Sequence, residues 1–202
     1  MSIDRSSIIR QVSALPDHQC TSVPLTIKAD QSQQELDWRK EELSNVITET
    51  LRRQPYLCYF QGYHDICQVL LLVLGPRACV PAVLRLSVLR IRDFMLPSLA
   101  PALSHLHLLP SILHAADSSL CRHLSSTQPF FALAATLTLY AHDIQEYGDI
   151  ARLFDVLLAR EASYSIYLFA RVRRSRPTNQ VRTLRSLAGR PHAKERADGH
   201  PP

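Results

Sequence analysis

Leu, Val, Ile and Thr side chains recur every three or four residues in the region from Leu36 to Arg53, at positions predicted to face inward. On a helical wheel they share one face, while Arg, Lys and Glu fill the rest of the circumference. The shared positions are Leu43, Val46, Ile47, Thr50 and Leu51. The pattern predicts an amphipathic helix that ends before Pro55, because proline cannot continue a helix.

The next segment is apolar on almost every side. From Tyr63 to Leu74 the run is nearly uninterrupted, and Gly75 with Pro76 predicts its end. A helix that is apolar all round is typical of a buried central helix. Helical patterns continue downstream, and the one broken by Pro110 predicts one or two helices. These patterns cover residues 78–91, 103–124, 129–140, 149–160 and 163–172.

The composition supports an all-α class. Hydrophobic residues make up 46% of the 202 residues and glycine is rare, with five in total. The length suits one domain followed by a tail. We therefore predict a multi-helix all-α domain with short loops over residues 1–170.

Charge separates the two parts of the chain. Of the formal net charge of +5, residues 171–202 carry +7 and the first 170 residues carry −2. The basic part holds no aromatic side chain and is interrupted by Pro177, Gly189 and Pro191. It is predicted to be a disordered basic tail, and specific nucleic-acid binding is not expected. A tail that binds nucleic acid or an anionic membrane is the alternative.

The cysteines and the apolar runs bear on the compartment. Five cysteines are an odd number, without a C-x-x-C pair, and no secretory signal follows Met1. Reduced thiols in a cytoplasmic protein are therefore expected. The longest apolar run, from Ile66 to Leu74, is shorter than the roughly 18 residues that a membrane span needs. No membrane-spanning segment is predicted.

One short motif carries specific chemistry. Residues 54–66 contain Tyr59, Gln61 and Gly62, followed by Asp65 and the apolar run. This order resembles the Tyr-x-Gln-Gly block of TBC domains, the modules that activate GTP hydrolysis by Rab GTPases.

Three further blocks extend the resemblance in the family's order. Residues 92–95 read Arg-Asp-Phe-Met, which is similar to a block of the reticulum-anchored branch of the family. Residues 129–133 read Pro-Phe-Phe-Ala-Leu and resemble the opening of a later family helix. Residues 152–155 read Arg-Leu-Phe-Asp and resemble the family's R-L-W/Y-D block. Four blocks in order are much more specific than one.

The resemblance implies a mechanism in which the TBC domain supplies an arginine and a glutamine to its partner. GTP hydrolysis develops negative charge on the transferred phosphoryl group, so a cation and a group that orients water both favour it. Gln61 matches the glutamine, and Tyr59, Gly62 and Asp65 are implied to support it. The implied partner is a Rab GTPase in its GTP form, which holds the GTP and Mg²⁺, so no cofactor of its own is expected. The implied location is the cytosolic face of endoplasmic reticulum or Golgi membranes.

The arginine is harder to place. The family has an acidic residue, two further residues and then Arg-Ser or Arg-Thr, and here Ser2 stands where the acid is expected before Arg5-Ser6. Arg5 is the candidate and Arg10 is its competitor. Family members have helices before the arginine and after the R-L-W/Y-D block, so the resemblance implies that the domain is incomplete at both ends.

Two other functions are consistent with the same residues. A TBC-fold module could bind a Rab protein without accelerating hydrolysis, and Gln61 and Gly62 would then be an ordinary helix start and turn. A metal or nucleophile enzyme could use His64 and Cys67, which lie three residues apart. The remaining histidines near residues 105–114 do not complete a zinc-ligand pattern, so no metal site is predicted.

Overall fold

The computed structural model describes residues 33–124, 129–144 and 146–174. Within these residues the chain forms eight α-helices and two short 3-10 turns, and it contains no strand, which confirms the all-α class. The helices are α1 Gln33–Arg53, α2 Tyr63–Leu89, α3 Ala100–Leu106, α4 Leu109–Ala116, α5 Ser118–Leu124, α6 Leu133–Leu137, α7 Tyr147–Ala159 and α8 Tyr164–Arg174. The 3-10 turns are Arg92–Phe94 and Pro129–Ala132.

Helix α1 buries the face that its sequence pattern predicts. All five predicted inward positions are buried, together with Ser44, and this face packs against α2. The helix ends at Arg53, two residues before Pro55. The sequence period alone was sufficient to predict the buried residues of α1, because the apolar face of an amphipathic helix is the face that packs against the core.

Helix α2 bends at Gly75. The bend follows from local chemistry, since Gly75 has φ +69° and ψ 171° and precedes Pro76, whose ring disfavours a helical residue before it. The predicted stop is therefore a bend, and the two predicted helices are two arms of one element. The first arm is buried from Tyr63 to Leu70, but Val73 and Leu74 are 49% and 41% exposed. The expectation of a wholly buried helix was wrong for its last turn.

By length and composition alone, α2 could also cross a membrane, and among the described residues no other helix meets that test. The core helix of a folded domain meets it equally well. Here the first arm carries the buried polar side chains of His64, Asp65 and Gln68, and α2 packs against both α1 and α7. The sequence prediction of no span assumed an end at Gly75, where the structure has a bend.

Prolines begin two of the helices between residues 100 and 124. Pro101 and Pro110 each lie in the first helical turn, where the missing N–H has no helical partner to lose. Pro110 therefore opens α4 instead of interrupting a longer helix. The segment forms three helices, α3, α4 and α5, where the sequence predicted one or two.

The predicted helix over residues 129–140 is shorter than expected. After the 3-10 turn, α6 ends at Leu137, and Leu139 and Tyr140 have left-handed backbones with φ of +50° and +66°. Two such non-glycine residues in succession are unfavourable. Both side chains are buried, and the Tyr140 hydroxyl donates to the Ser165 carbonyl oxygen at 2.6 Å, which offsets that strain. Tertiary contacts thus override the helical pattern.

The last two helices agree closely with their predicted ranges. The guanidinium of Arg90, just after α2, donates to the carbonyl oxygens of Leu158 and Arg160 at the end of α7. Such bonds satisfy carbonyls that have no helical partner. Helix α8 continues to Arg174 with Val172 buried, beyond the predicted tail boundary at residue 171. Residues 175–202 lie outside the described residues.

The described cysteines Cys58, Cys67, Cys79 and Cys121 are free thiols, as expected for a reduced protein, and Cys20 lies outside the described residues. Cys67 and Cys79 are buried in the core, and burial raises the pKa of both thiols. These thiols therefore stay protonated and act as small apolar side chains.

We expect Ile47→Ala to lower the free energy of unfolding by about 2–5 kcal/mol, because Ile47 is fully buried between α1 and α2. Leu89→Ala is the matched control, since that side chain is 63% exposed, and it should change stability by less than about 0.5 kcal/mol. Urea unfolding followed by circular dichroism measures both. Equal losses from the two substitutions would contradict this packing.

Candidate functional site

The signature block forms a tight turn that leads into α2. Gln61 is exposed, whereas every residue from Gly62 to Leu70 is buried. The amide of Tyr63 donates to Phe60 across the turn at 3.1 Å, and the amide of Asp65 donates to Gly62 at 3.1 Å as the helix begins. Gln61 is thus the exposed residue of a turn in which Phe60 is half-buried and the residues after Gln61 are buried.

Gly62 is required by both backbone geometry and space. Its φ of +101° lies in the left-handed region, which L side chains rarely adopt. A Cβ at this position would lie 2.6 Å from the Thr138 methyl group, well inside van der Waals contact. The loop after α6 therefore packs directly on the backbone beside Gln61.

The loop segment that precedes the turn is held by a backbone hydrogen bond to another part of the chain. The amide of Cys58 donates to the carbonyl oxygen of Met95 at 2.6 Å. Met95 belongs to the block at residues 92–95, in which Phe94 and Met95 are buried and the Asp93 carboxylate lies 3.1 Å from His105 Nε2. This block therefore holds the loop segment that leads into the signature turn.

Four polar side chains connect the two ends of the turn. We call Tyr59, His64, Asp65 and His142 the Asp65 network. The Tyr59 hydroxyl lies 2.7 Å from His64 Nδ1, and His64 Nε2 lies 3.4 Å from Asp65 Oδ1. His142 Nδ1 lies 3.3 Å from the other carboxylate oxygen, Oδ2. Tyr59 precedes Gln61 and Asp65 follows it, so the network spans the turn that presents the glutamine.

The network assigns protons to its histidines. A carboxylate only accepts, so the ring nitrogens that face Asp65, His64 Nε2 and His142 Nδ1, carry hydrogens. His64 Nδ1 then accepts from the Tyr59 hydroxyl. Burial lowers the pKa of His64, and the nearby His142 adds to this effect, while Asp65 opposes it. The neutral form of His64 is therefore favoured. Burial also raises the pKa of Tyr59, which keeps its hydroxyl protonated.

A second carboxyl group lies beside the network. Burial raises the pKa of Asp143, with Asp65 adding to the rise and His142 opposing it. The side chain of His142, which bonds Asp65, is 54% exposed.

The structure brings together four of the predicted site residues, Tyr59, Gln61, Gly62 and Asp65. The candidate arginines Arg5 and Arg10 lie outside the described residues. Sequence reasoning considered His64 only as a metal ligand, and it missed His142. The adjacent His64 and Asp65 at a helix start were a usable signal for a polar role of His64, but nothing in the local sequence points to His142.

The metal alternative finds no constellation here. In the described part of the chain, no group of three or more His, Cys, Asp or Glu side chains could hold a metal ion. His64 uses both ring nitrogens within the Asp65 network, and the thiol of Cys67 is buried and protonated.

The family model described as the Rab-GTPase-TBC domain matches residues 21–175. The chain belongs to this family. The matched residues include the signature turn, the Asp65 network and all eight described helices of the TBC domain, whereas Arg5 and Arg10 lie before them.

Several individual proteins are similar to this chain. The chain is 32% identical to the GTPase-activating protein gyp10 of Schizosaccharomyces pombe over 74% of its own length and 41% of the relative's. It is 35% identical to TBC1 domain family member 20 of Homo sapiens, covering 65% of this chain and 33% of that protein. The GTPase-activating protein GYP8 of Saccharomyces cerevisiae is 24% identical and is covered over 30% of its length. The chain thus spans about two fifths or less of these relatives.

Gly62→Ala should destabilise the TBC domain more in the wild type than in a Thr138→Ser background. The positive φ of Gly62 costs an alanine about 1–3 kcal/mol in either background, but a Cβ at Gly62 would lie 2.6 Å from the Thr138 methyl group. Thr138→Ser removes that methyl group, so the loss caused by Gly62→Ala should shrink when both substitutions are present. Thermal or urea unfolding of the wild type, the two single variants and the double variant measures the difference. Equal losses in the two backgrounds would contradict the close approach.

Acidification should weaken the fold through His64. Its pKa is lowered from 6.5 in the folded state, so below pH 6.5 the unfolded chain binds a proton that the folded chain rejects. The free energy of unfolding should therefore fall as the pH drops from 7 to about 5.5, with a slope of at most about 1.4 kcal/mol per pH unit.

Urea unfolding across this pH range in wild type and His64→Gln measures that slope. The glutamine retains an acceptor and a donor but does not titrate, so its slope should be smaller. Asp143→Asn in both backgrounds removes an opposing contribution, because a raised carboxyl pKa adds stability as the pH falls. An unchanged slope in His64→Gln would contradict the assignment.

Proposed function

We propose that this TBC domain is a GTPase activator of a Rab GTPase and that it lends Gln61 to the partner's nucleotide site. The observation that carries the proposal is the position of Gln61, an exposed amide at the tip of a turn whose following residues are all buried. Membership of the Rab-GTPase-TBC family supports the choice of partner.

The chemistry of an amide suits this role. Its oxygen can accept a hydrogen bond from the attacking water while its nitrogen donates to a phosphate oxygen. A rigid turn adds to the effect, because a group held in place before reaction need not be reorganised in the transition state. Gly62, fixed by Thr138, and the Asp65 network supply that rigidity on the helical side of Gln61.

The arginine completes the proposal. In it, Arg5 supplies the cation that offsets charge on the transferred phosphoryl group, with Arg10 as the competing residue. The GTP form of the Rab protein is the state bound, and the Rab protein holds both GTP and Mg²⁺. The TBC domain then needs no cofactor of its own.

The proposed location is the cytosolic face of endoplasmic reticulum or Golgi membranes. It rests on the block at residues 92–95, which resembles the reticulum-anchored branch and which packs against the signature turn through Cys58 and Met95. The name of one relative, TBC1 domain family member 20, is in line with membership of the same family.

Gln61→Ala should lower the rate at which the TBC domain stimulates GTP hydrolysis by the Rab protein by about 10²–10³-fold, the loss seen when one preorganised transition-state donor is removed. Single-turnover hydrolysis across a panel of GTP-loaded Rab proteins measures it. Gln33→Ala is the matched control, since it removes another exposed glutamine, at the start of α1. It should leave the rate unchanged.

The same assay separates activation from simple binding and assigns the arginine. A folded Gln61→Ala variant with the wild-type rate, alongside wild-type binding of the GTP-loaded Rab, would identify a binding module instead. Of Arg5→Ala and Arg10→Ala, the one that removes the finger should lose about 10³-fold or more, and the other should retain activity.

A further inference from the structure

The Asp65 network contains one member from a distant part of the chain. Tyr59, His64 and Asp65 all lie within or next to the signature turn, whereas His142 is 77 positions from Asp65 in sequence. His142 reaches the carboxylate from the loop that follows α6, and its side chain is 54% exposed. The loop therefore contributes a polar contact at the rim of the site, not a core contact.

A buried carboxylate depends on its donors. Asp65 is only 8% exposed, and an under-satisfied buried charge is strongly unfavourable, so the carboxylate takes the position that its donors define. His142 Nδ1 bonds one oxygen, Oδ2, and His64 Nε2 lies 3.4 Å from the other, Oδ1. We therefore expect loss of the His142 donor to let the carboxylate turn toward solvent and to loosen the first turn of α2.

The same loop touches the turn at a second point. The Thr138 methyl group packs against the backbone of Gly62, and His142 bonds Asp65 in the first turn of α2. The loop therefore contacts both Gly62 and the helix start that follows it. Between them, Leu139 and Tyr140 hold left-handed conformations that their burial and the Tyr140 hydrogen bond maintain. A strained loop that is held in one conformation can position another segment accurately.

We propose that His142 is a positioning residue for Gln61, acting through Asp65. Its Nδ1–H holds the carboxylate, the carboxylate holds the start of α2, and the start of α2 fixes the exposed amide. The proposal rests on the function proposed for Gln61.

The test compares His142→Ala with His142→Asn in the full 202-residue chain. Alanine removes the donor, whereas the side-chain amide of asparagine places an N–H near the position of Nδ1. In steady-state Rab GTP hydrolysis, His142→Ala should lower kcat by about 10-fold to 100-fold, the effect of a small misplacement of a reacting group, with KM within about twofold. His142→Asn should recover most of the loss. His107→Ala, which removes an exposed histidine beside α3, is the matched control and should leave both constants unchanged.

The outcomes separate this proposal from the function on which it rests. If Gln61→Ala loses activity while His142→Ala retains it, the positioning role is wrong and the proposed function stands. A rise in KM at constant kcat would instead make His142 part of the partner-binding surface and would also overturn the proposal. Loss of kcat in both His142 variants would do the same, since the donor would then not be the cause.

A second measurement does not depend on any Rab protein. Backbone ¹⁵N relaxation at Gln61 and Gly62 should give order parameters near about 0.85 in the wild type and in His142→Asn, and below about 0.6 in His142→Ala. Unchanged order parameters in His142→Ala would overturn the proposal even if the wild type activated no GTPase in the panel.

Discussion

A carboxylate buried at the start of a helix must be supplied with hydrogen-bond donors, and in this domain that requirement brings together residues from two distant regions. Asp65 lies at the beginning of α2, where His142 from the loop after α6 bonds one carboxylate oxygen and the neighbouring His64 lies 3.4 Å from the other. The positive end of the helix dipole favours the same charge. Because the carboxylate and its donors define one another's positions, the turn that carries Gln61 has little freedom to move.

The helices could be predicted from the sequence because their signals are local. The period of α1 identifies its buried face, and Gly75 with Pro76 marks the break in α2. The number of helices around Pro110 was predicted wrongly, because a proline can end one helix or begin another. The left-handed Leu139 and Tyr140 were not predictable, because burial and a bond to the far α8 outweigh the helical pattern around them.

The candidate site was predictable only in part, for a related reason. The Tyr-x-Gln-Gly block identifies Tyr59, Gln61 and Gly62 through family resemblance, since these residues lie together along the chain. His142 carries no local signal, because its partner is 77 positions away and the contact exists only after folding. The division is physical: local sequence specifies the turn, while tertiary packing specifies how firmly it is held.

Different physical requirements apply to the glycine and the glutamine of the signature turn. Gly62 is required by its left-handed backbone and by the nearby Thr138 methyl group, whereas Gln61 is exposed. A descendant that no longer activated a GTPase would be free to discard the glutamine while still obliged to retain the glycine. Under the proposed function, loss of the glutamine would therefore mark a domain that no longer activates a GTPase, whereas a retained glycine would report only that the turn is built in the same way.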